Sequence, residues 1–272
     1  VINVLIFSLD RACQLDLCIR SIRSRFKSIG TIHVLYNYTN DIYRQGYDIV
    51  KSSHGRIEWH KENDFQKDTK DIIINKFDKE LSLCFVDDEI IFNPIDEPDI
   101  RQITDAFKND SRAVAISLKL HKGVTYCYSA QFDIDLPEFI NDAVFLVWDW
   151  TKSNPNGEWG YPHCINGHIY RTDEFKALIN SINFGFPNEL EGRMNENRNY
   201  NKPLLYSFLT PRVFCIANNY VKSAEPEQID TEHSVRSLND KFLDGNIIDL
   251  DPLIGYNTNM IQGVLPYRFI KR

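Results

Sequence analysis

The run Leu83-Cys84-Phe85-Val86-Asp87-Asp88-Glu89-Ile90-Ile91-Phe92 sets three consecutive acids between two apolar stretches. Four apolar residues are too few for a helix and suit a short buried strand, so the acids fall at that strand's carboxyl end. Carboxylates beside buried strands are costly unless something neutralises them. A divalent cation held by carboxylate oxygens is one solution, and a polar turn satisfied by backbone amides and water is the other. Alternate side chains of an extended segment point the same way, so Asp87 and Glu89 are the pair expected to share a cation.

Upstream of this run, strand and helix patterns alternate. Asn3 to Phe7 is a short apolar strand, with Ser8 and Asp10 after it as candidate helix caps. Leu15, Cys18, Ile19, Ile22 and Phe26 then recur at helical spacing, and Gly30 is expected to end that helix. Thr31 to Tyr36 reads as a strand, Asp41 to Ser52 as a helix, and Ile57 to His60 as a third strand. Asp64 caps a helix expected to run to about Phe77. This alternation predicts an α/β fold whose sheet is mostly parallel with crossover helices. Ligands of such sheets bind beyond the carboxyl ends of the strands. Ser8 to Arg11, Asn37-Tyr38 and Asp87 to Glu89 all lie at such ends.

Downstream the texture changes. A helix over 99–109 leads to a strand at Ala113 to Leu118, and 120–165 is aromatic and irregular. Residues 173–182 read as a helix, 184–201 as a loop or short helix, Val213 to Ala217 as a strand and Val235 to Leu243 as a helix. With no linker and no internal repeat, the expectation is one domain over 1–272. It has two functional halves, about 1–110 and about 111–272, which the family resemblance described below makes a nucleotide-sugar-binding half and an acceptor-binding, catalytic half.

The formal net charge of −7 is the wrong sign for a general phosphate-backbone binder, so no nucleic acid partner is expected. The longest apolar stretch, Ala143 to Trp148, is far short of the ~20 residues of a membrane-spanning helix. No secretory signal is visible, which suggests a soluble cytoplasmic chain or one peripheral to a membrane. A start at Val1 is consistent with a piece of a longer protein carrying other domains. None of the six cysteines forms a CxxC pair, and reduced, buried thiols are expected.

At the level of motifs, the chain resembles the GT-A glycosyltransferases, especially family-2-like enzymes. The resemblance rests on the opening Val4-Leu5-Ile6-Phe7-Ser8-Leu9-Asp10-Arg11 and on Asp87-Asp88-Glu89 as an aspartate-rich "DxD" element on the fourth strand. A group of bacterial and viral glycosyltransferases is similar further on. The matching pieces are Ser117 to Leu120, Glu158-Trp159-Gly160-Tyr161-Pro162, Gly167-His168-Ile169-Tyr170-Arg171 and Phe186-Pro187-Asn188-Glu189-Leu190-Glu191. It is their order along the chain that carries the likeness.

The resemblance implies a nucleotide-diphosphate sugar donor, usually UDP-linked, with Mn²⁺ or Mg²⁺ on Asp87 and Glu89. A glycan or glycoconjugate would be the acceptor. Phe7, Ser8, Leu9 and Arg11 would line the base and ribose, with Arg11 toward the phosphates. Asn37 and Tyr38 would lie near the base, Phe65 and Lys67 near the nucleotide and diphosphate, and Asp87 and Asp88 at the nucleotide. An inverting transfer needs a base for the acceptor hydroxyl. Glu191 is the leading candidate, with Glu189 nearby, Asp149 the runner-up and Glu158 the third. Trp148, Trp150, Trp159 and Tyr161 would stack on sugars or fill the core. His168 would touch donor sugar or acceptor, and His233 would serve as a late metal ligand. Asn166 stands where related sequences often carry an acid. The stretch Asn257 to Arg272 would cover the active site or meet another subunit or domain.

Other classes fit less well. A nucleotidyltransferase would open on a glycine-rich loop, which Phe7 to Ala12 lacks. A haloacid-dehalogenase-type phosphatase would need a second aspartate where Ala12 stands, and no histidine pair sits at zinc-hydrolase spacing. A non-catalytic carbohydrate- or nucleotide-binding domain on the same fold is the alternative to an enzyme.

Overall fold

A computed structural model of the chain describes residues 1–219, 221, 232–255 and 258–272. Strand β1 (Ile2–Leu9) is buried along almost its whole length, as a central parallel strand must be. Helix α1 (Ala12–Arg25) buries Leu15, Cys18, Ile19 and Ile22, and sets Arg23 and Arg25 in its last turn, where the helix dipole favours cations. Strand β2 (Ile29–Asn37), helix α2 (Asp41–Ser53, capped by the Asn40 side chain) and strand β3 (Ile57–Lys61) follow. Helix α3 (Phe65–Asp71), capped by Asp64, runs into a π-helical turn at Ile72–Lys76. Next come β4 (Leu81–Val86), β5 (Glu89–Ile91), α4 (Glu97–Asn109) and β6 (Ala113–Ser117).

The irregular stretch carries small strands β7 (Tyr126–Cys127), β8 (Phe132–Asp133) and β9 (Phe139–Asn141), then β10 (Phe145–Asp149). Single 3₁₀ turns at Trp150–Lys152 and Glu158–Gly160 lead to β11 (His168–Arg171), α5 (Thr172–Ser181) and α6 (Pro187–Glu196). Strands β12 (Leu204–Phe208) and β13 (Val213–Ile216) precede α7 (Val235–Leu243), β14 (Asn246–Ile248), β15 (Gln262–Gly263) and β16 (Phe269–Lys271).

The main sheet has nine strands in the order β3-β2-β1-β4-β11-β6-β12-β10-β9. The β3-β2-β1-β4 block is parallel, β12 runs parallel to β6, and β11 lies antiparallel between β4 and β6. The fold is therefore α/β with a mixed, mostly parallel sheet. The carboxyl ends of β1, β2, β4 and β6 share one edge, and the loop that feeds β11 arrives at that edge too. One face of the sheet packs on α1, α2, α4 and α7, and the other on α3, the π turn, α5 and α6.

The structure differs from the sequence reading in instructive places. Gly30 does not end α1. The helix stops at Arg25, Phe26 turns extended to bridge Ile95, and Gly30 already belongs to β2, where a Cβ would meet the Ile2 carbonyl at 3.2 Å. The segment 187–196 is a full helix with Pro187 in its first turn. The short runs that became β10, β11 and β12 carry too little periodicity to be separated from loop. Their partners, many residues away in the chain, make them strands. Trp148, Trp150 and Trp159 are all buried, and Trp148 and Trp159 meet edge-to-face at 4.9 Å. All six cysteines are buried free thiols. No helix among the described residues is long and apolar enough to cross a membrane.

Trp159 fills the second core and donates its indole N–H to the Val124 carbonyl at 3.1 Å. Trp159→Ala should cost about 3–5 kcal/mol of stability, read from the urea midpoint.

Candidate functional site

The chain leaves β4 at Val86, and β5 begins at Glu89, so Asp87 and Asp88 form a two-residue turn. This corrects the alternation argument. Asp87 and Glu89 do not lie on one extended segment, and their side chains are received by different partners. Arg11, at the N-terminus of α1, places Nη1 3.0 Å from Asp87 Oδ1 and 2.7 Å from Asp88 Oδ2. Its Nη2 donates to the Asn219 carbonyl. Ser8 donates to Asp87 Oδ2 at 2.7 Å, which commits its proton. Tyr47, 2.7 Å from the Ser8 hydroxyl, therefore donates to Ser8, while accepting the Arg11 backbone N–H at 3.3 Å. Burial pushes the Asp87 carboxyl up to about 6, with Arg11 opposing it. Burial also works against the Arg11 charge, but Asp88 and Asp87 outweigh it and raise the guanidinium.

Glu89 is fully buried, and it takes the Val86 N–H at 3.2 Å. Its Oε1 stands 3.8 Å from the Lys119 ammonium, which follows β6. Burial pushes Glu89 up to about 8 against the pull of Lys119. Lys119 also donates to Asn166 in the loop that feeds β11. The second half closes on the same spot. Glu191 in α6 accepts the Ile165 N–H at 2.9 Å, and its charge acts on Glu89, Glu158 and Tyr161. Glu158, held by the Cys127 thiol at 3.4 Å, is raised by burial, which Lys119 opposes. Asp88, Glu158, Tyr161, Asn166 and Glu191 are each partly exposed, around a buried Glu89–Lys119 floor.

Several expected residues take other parts. Phe7 is buried and packs on Phe65 at 5.4 Å, so both belong to the core. Ser8 orients Asp87, and Leu9 alone of that loop is partly exposed. Asn37, at the end of β2, accepts from Lys61 at 2.5 Å, and Lys61 lies over the Tyr38 ring at 3.3 Å. Lys67 is exposed in the first turn of α3.

Asp149 caps the turn after β10 through Thr151. It pairs in register with Leu204 and so lies level with Ala113, at the start of β6. That is the opposite edge of the sheet from Asp87, roughly 20 Å away at the rise of a strand, so Asp149 does not join the site. Glu189 accepts the Gly185 N–H and pairs with Arg193, which makes it a helix-start residue. His168 is buried in β11 against the Pro162 carbonyl, and burial lowers it to about 3. His233 meets Tyr267 edge-to-face at 5.4 Å, and its carbonyl accepts from Asn219, the residue that receives Arg11. Tyr256 and Asn257 lie outside the described residues; Tyr267, further along the same stretch, is buried and feels the charge of Asp88.

A cation shared by Asp87 and Glu89 does not fit this arrangement. Among the described residues the acids of 87–89 form no convergent three-ligand set, and Arg11 and Lys119 already compensate them. Asp88 does fit as a single carboxylate ligand: its side chain is 12% exposed, and magnesium-type sites commonly use one or two carboxylates plus substrate phosphates. Sequence reasoning missed Lys119, Tyr47 and the role of Asn166. Lys119 had a visible signal, since a lysine between Leu118 and Leu120 in an apolar run needs a buried anion.

Arg11→Met should cost about 3–5 kcal/mol by leaving Asp87 and Asp88 uncompensated. Adding Asp87→Asn should recover part of that loss in urea unfolding, and an unchanged deficit would assign the effect to packing. For His168 the folded pKa lies below the unfolded value of about 6.5, so its contribution is present above pH 6.5 and fades as pH falls toward 3. His168→Gln should show a shallower acid loss of stability across that window.

No family model matches the chain. The chain is 23% identical over 272 aligned residues to the bifunctional glycosyltransferase pgtA of Dictyostelium discoideum, a match covering 93% of this chain and 34% of pgtA. The chain thus spans about a third of the length of the curated relative it matches. Among solved structures, residues 1–349 of S. aureus TarS in complex with UDP superpose with a TM-score of 0.51 at 13% identity, over 79% of this chain and 60% of that one. The chain shares the fold of that TarS structure and is similar in sequence to a protein named as a glycosyltransferase.

Proposed function

We propose that this chain transfers a sugar from a nucleotide-diphosphate donor to a hydroxyl of a glycan or glycoconjugate, with inversion. The carrying observation is that Glu191, from the second half, reaches the same sheet edge as Asp88 and the Glu89–Lys119 pair. An acid from one half and a diphosphate-side acid from the other are the two parts such a transfer needs. The name of pgtA supports sugar transfer and the UDP bound in TarS supports a UDP-linked donor, a UDP-hexose being the specific proposal.

In this reading the base and ribose sit at the carboxyl ends of β1 and β2, beside Leu9, Asn37 and Tyr38. Lys61 over Tyr38 adds positive charge there. Arg11 fixes the Asp87–Asp88 turn, so Asp88 meets the donor preorganised. Asp88 would hold Mn²⁺ or Mg²⁺, which supplies charge neutralisation for the departing diphosphate. Glu191, positioned by the Ile165 amide, accepts the acceptor proton, with Tyr161 and Asn195 hydrogen-bonded at its side. Glu158 lies next to it and, raised by burial, is the second candidate for that proton. The whole 1–272 stretch would act as one catalytic domain, since strands from both sides of residue 110 build one sheet.

Calorimetry with UDP, GDP and CDP, with and without Mn²⁺, tests the donor. Metal-enhanced binding of UDP, weakened by Asp88→Asn, is the expected result, and no binding of any nucleotide would leave only a non-catalytic carbohydrate-binding role. Glu191→Gln should keep UDP binding within about threefold and lower turnover by about 10²–10⁴-fold. Full activity in that variant, with loss in Glu158→Gln, would move the base to Glu158.

A further inference from the structure

On the outer strands of the sheet, away from the acids, lies a second cluster of chemistry. Strands β2 and β3 pair in parallel, with His33 opposite Glu58 and Leu35 opposite His60. The period of two puts Glu58 and His60 on one face of β3, and His33 meets them from β2. The Nδ1 atom of His33 is 3.1 Å from His60 Nε2 and 3.4 Å from Glu58 Oε2, and the last two atoms are 3.9 Å apart.

Zinc bonds of about 2.0–2.1 Å to nitrogen and oxygen give a tetrahedron whose edge is about 3.3–3.4 Å. The three distances bracket that edge. We infer that His33, Glu58 and His60 form a zinc-class metal site, with three protein ligands and water in the fourth position. The ligand set suits such an ion, because imidazole favours zinc and its neighbours over magnesium or calcium. The surroundings suit it too. Asp78, itself paired with Lys79 at 2.6 Å, acts on His33, and Asp68 and Asp71 act on His60, with the cation Lys76 opposing them. Glu58 is half exposed and His60 a fifth exposed, which gives an ion a path from solvent, while the buried His33 anchors the site on Phe77 at 5.9 Å.

The site lies about four residues down β2 from Asn37, roughly 13 Å along the strand, so it is separate from the donor edge. Its physical effect is to tie the edge strand β3 to β2. Among the described residues strand β3 pairs only with β2, and it carries Lys61 at its end, so the ion also fixes the strand that presents Lys61 to Asn37. The π turn at Ile72–Lys76 lies just before Phe77, whose ring packs beside His33.

The test uses the full chain after chelator treatment. Zn²⁺ is titrated by calorimetry, Co²⁺ is followed by its visible absorption, and melting temperature is measured with each. The expected result is one equivalent bound, a cobalt spectrum of tetrahedral intensity without a thiolate band, and a raised melting temperature. His60→Ala and Glu58→Gln, both at partly exposed positions, should weaken binding at least about tenfold while keeping the far-ultraviolet circular dichroism. Asp88→Asn should leave zinc binding unchanged, which separates this site from any cation at the donor edge. Three outcomes would overturn the assignment. They are no stoichiometric binding, a thiolate-to-cobalt band, or binding that survives both His60→Ala and Glu58→Gln, and the last would mean a hydrogen-bonded imidazole pair only.

Discussion

The Arg11 guanidinium is the pin on which the site depends. It satisfies two acids and one backbone carbonyl at once, from the N-terminus of α1 to the turn after β4 and to Asn219. Without it the Asp87 carboxylate would be buried beside β1 and β4 with only Ser8 for support. Because Arg11 is held in turn by Asp87, Asp88 and the packing of α1, the turn has one geometry. Asp88 is then the acid left at the surface. The same logic repeats one strand over, where Lys119 compensates Glu89 beneath the loop that carries Asn166.

These two ion pairs divide the acidic triplet into separate jobs. Asp87 is structural, linking Ser8, Tyr47 and Arg11 in one buried network. Glu89 forms the floor under the second half. Asp88 is the least buried of the three. A run that looks like a single motif is three residues with three neighbourhoods, because a turn between β4 and β5 sends each side chain a different way. Buried charge pairs of this kind contribute little net stability but penalise any arrangement in which one partner is missing. The rigidity they give the turn is their main effect.

The second half matters for the opposite reason. Its strands are short and irregular, yet β11 inserts between β4 and β6 and brings the loop 163–166 to the edge that carries Asp87 to Glu89. Helix α6 then reaches across so that Glu191 takes the Ile165 amide. Buried tryptophans stabilise this region from behind, and Tyr161 lies beside Glu191. The proposed zinc-class site acts at the other end of the sheet, on the edge strand that has a partner on only one side.

Much of the fold was legible in the sequence. The apolar runs at 3–7, 31–36, 57–60 and 83–86 and the helical periodicities between them required a parallel α/β layer, because each pattern has one way to bury its apolar face. The acids at 87–89 and the opening Ser8 to Arg11 likewise marked the edge where a ligand would sit. Tertiary structure decided what local pattern could not carry. It made strands of 145–149, 168–171 and 204–208, moved Asp149 to the far edge, and sent Glu89 to Lys119. It also joined His33 to the Glu58–His60 pair, which lies distant in the chain and meets it only through parallel register. Periodicity reports which face of an element is buried. Which charges meet, and at which end of a strand, depends on pairings between residues distant in the chain, and those exist only once the sheet is assembled.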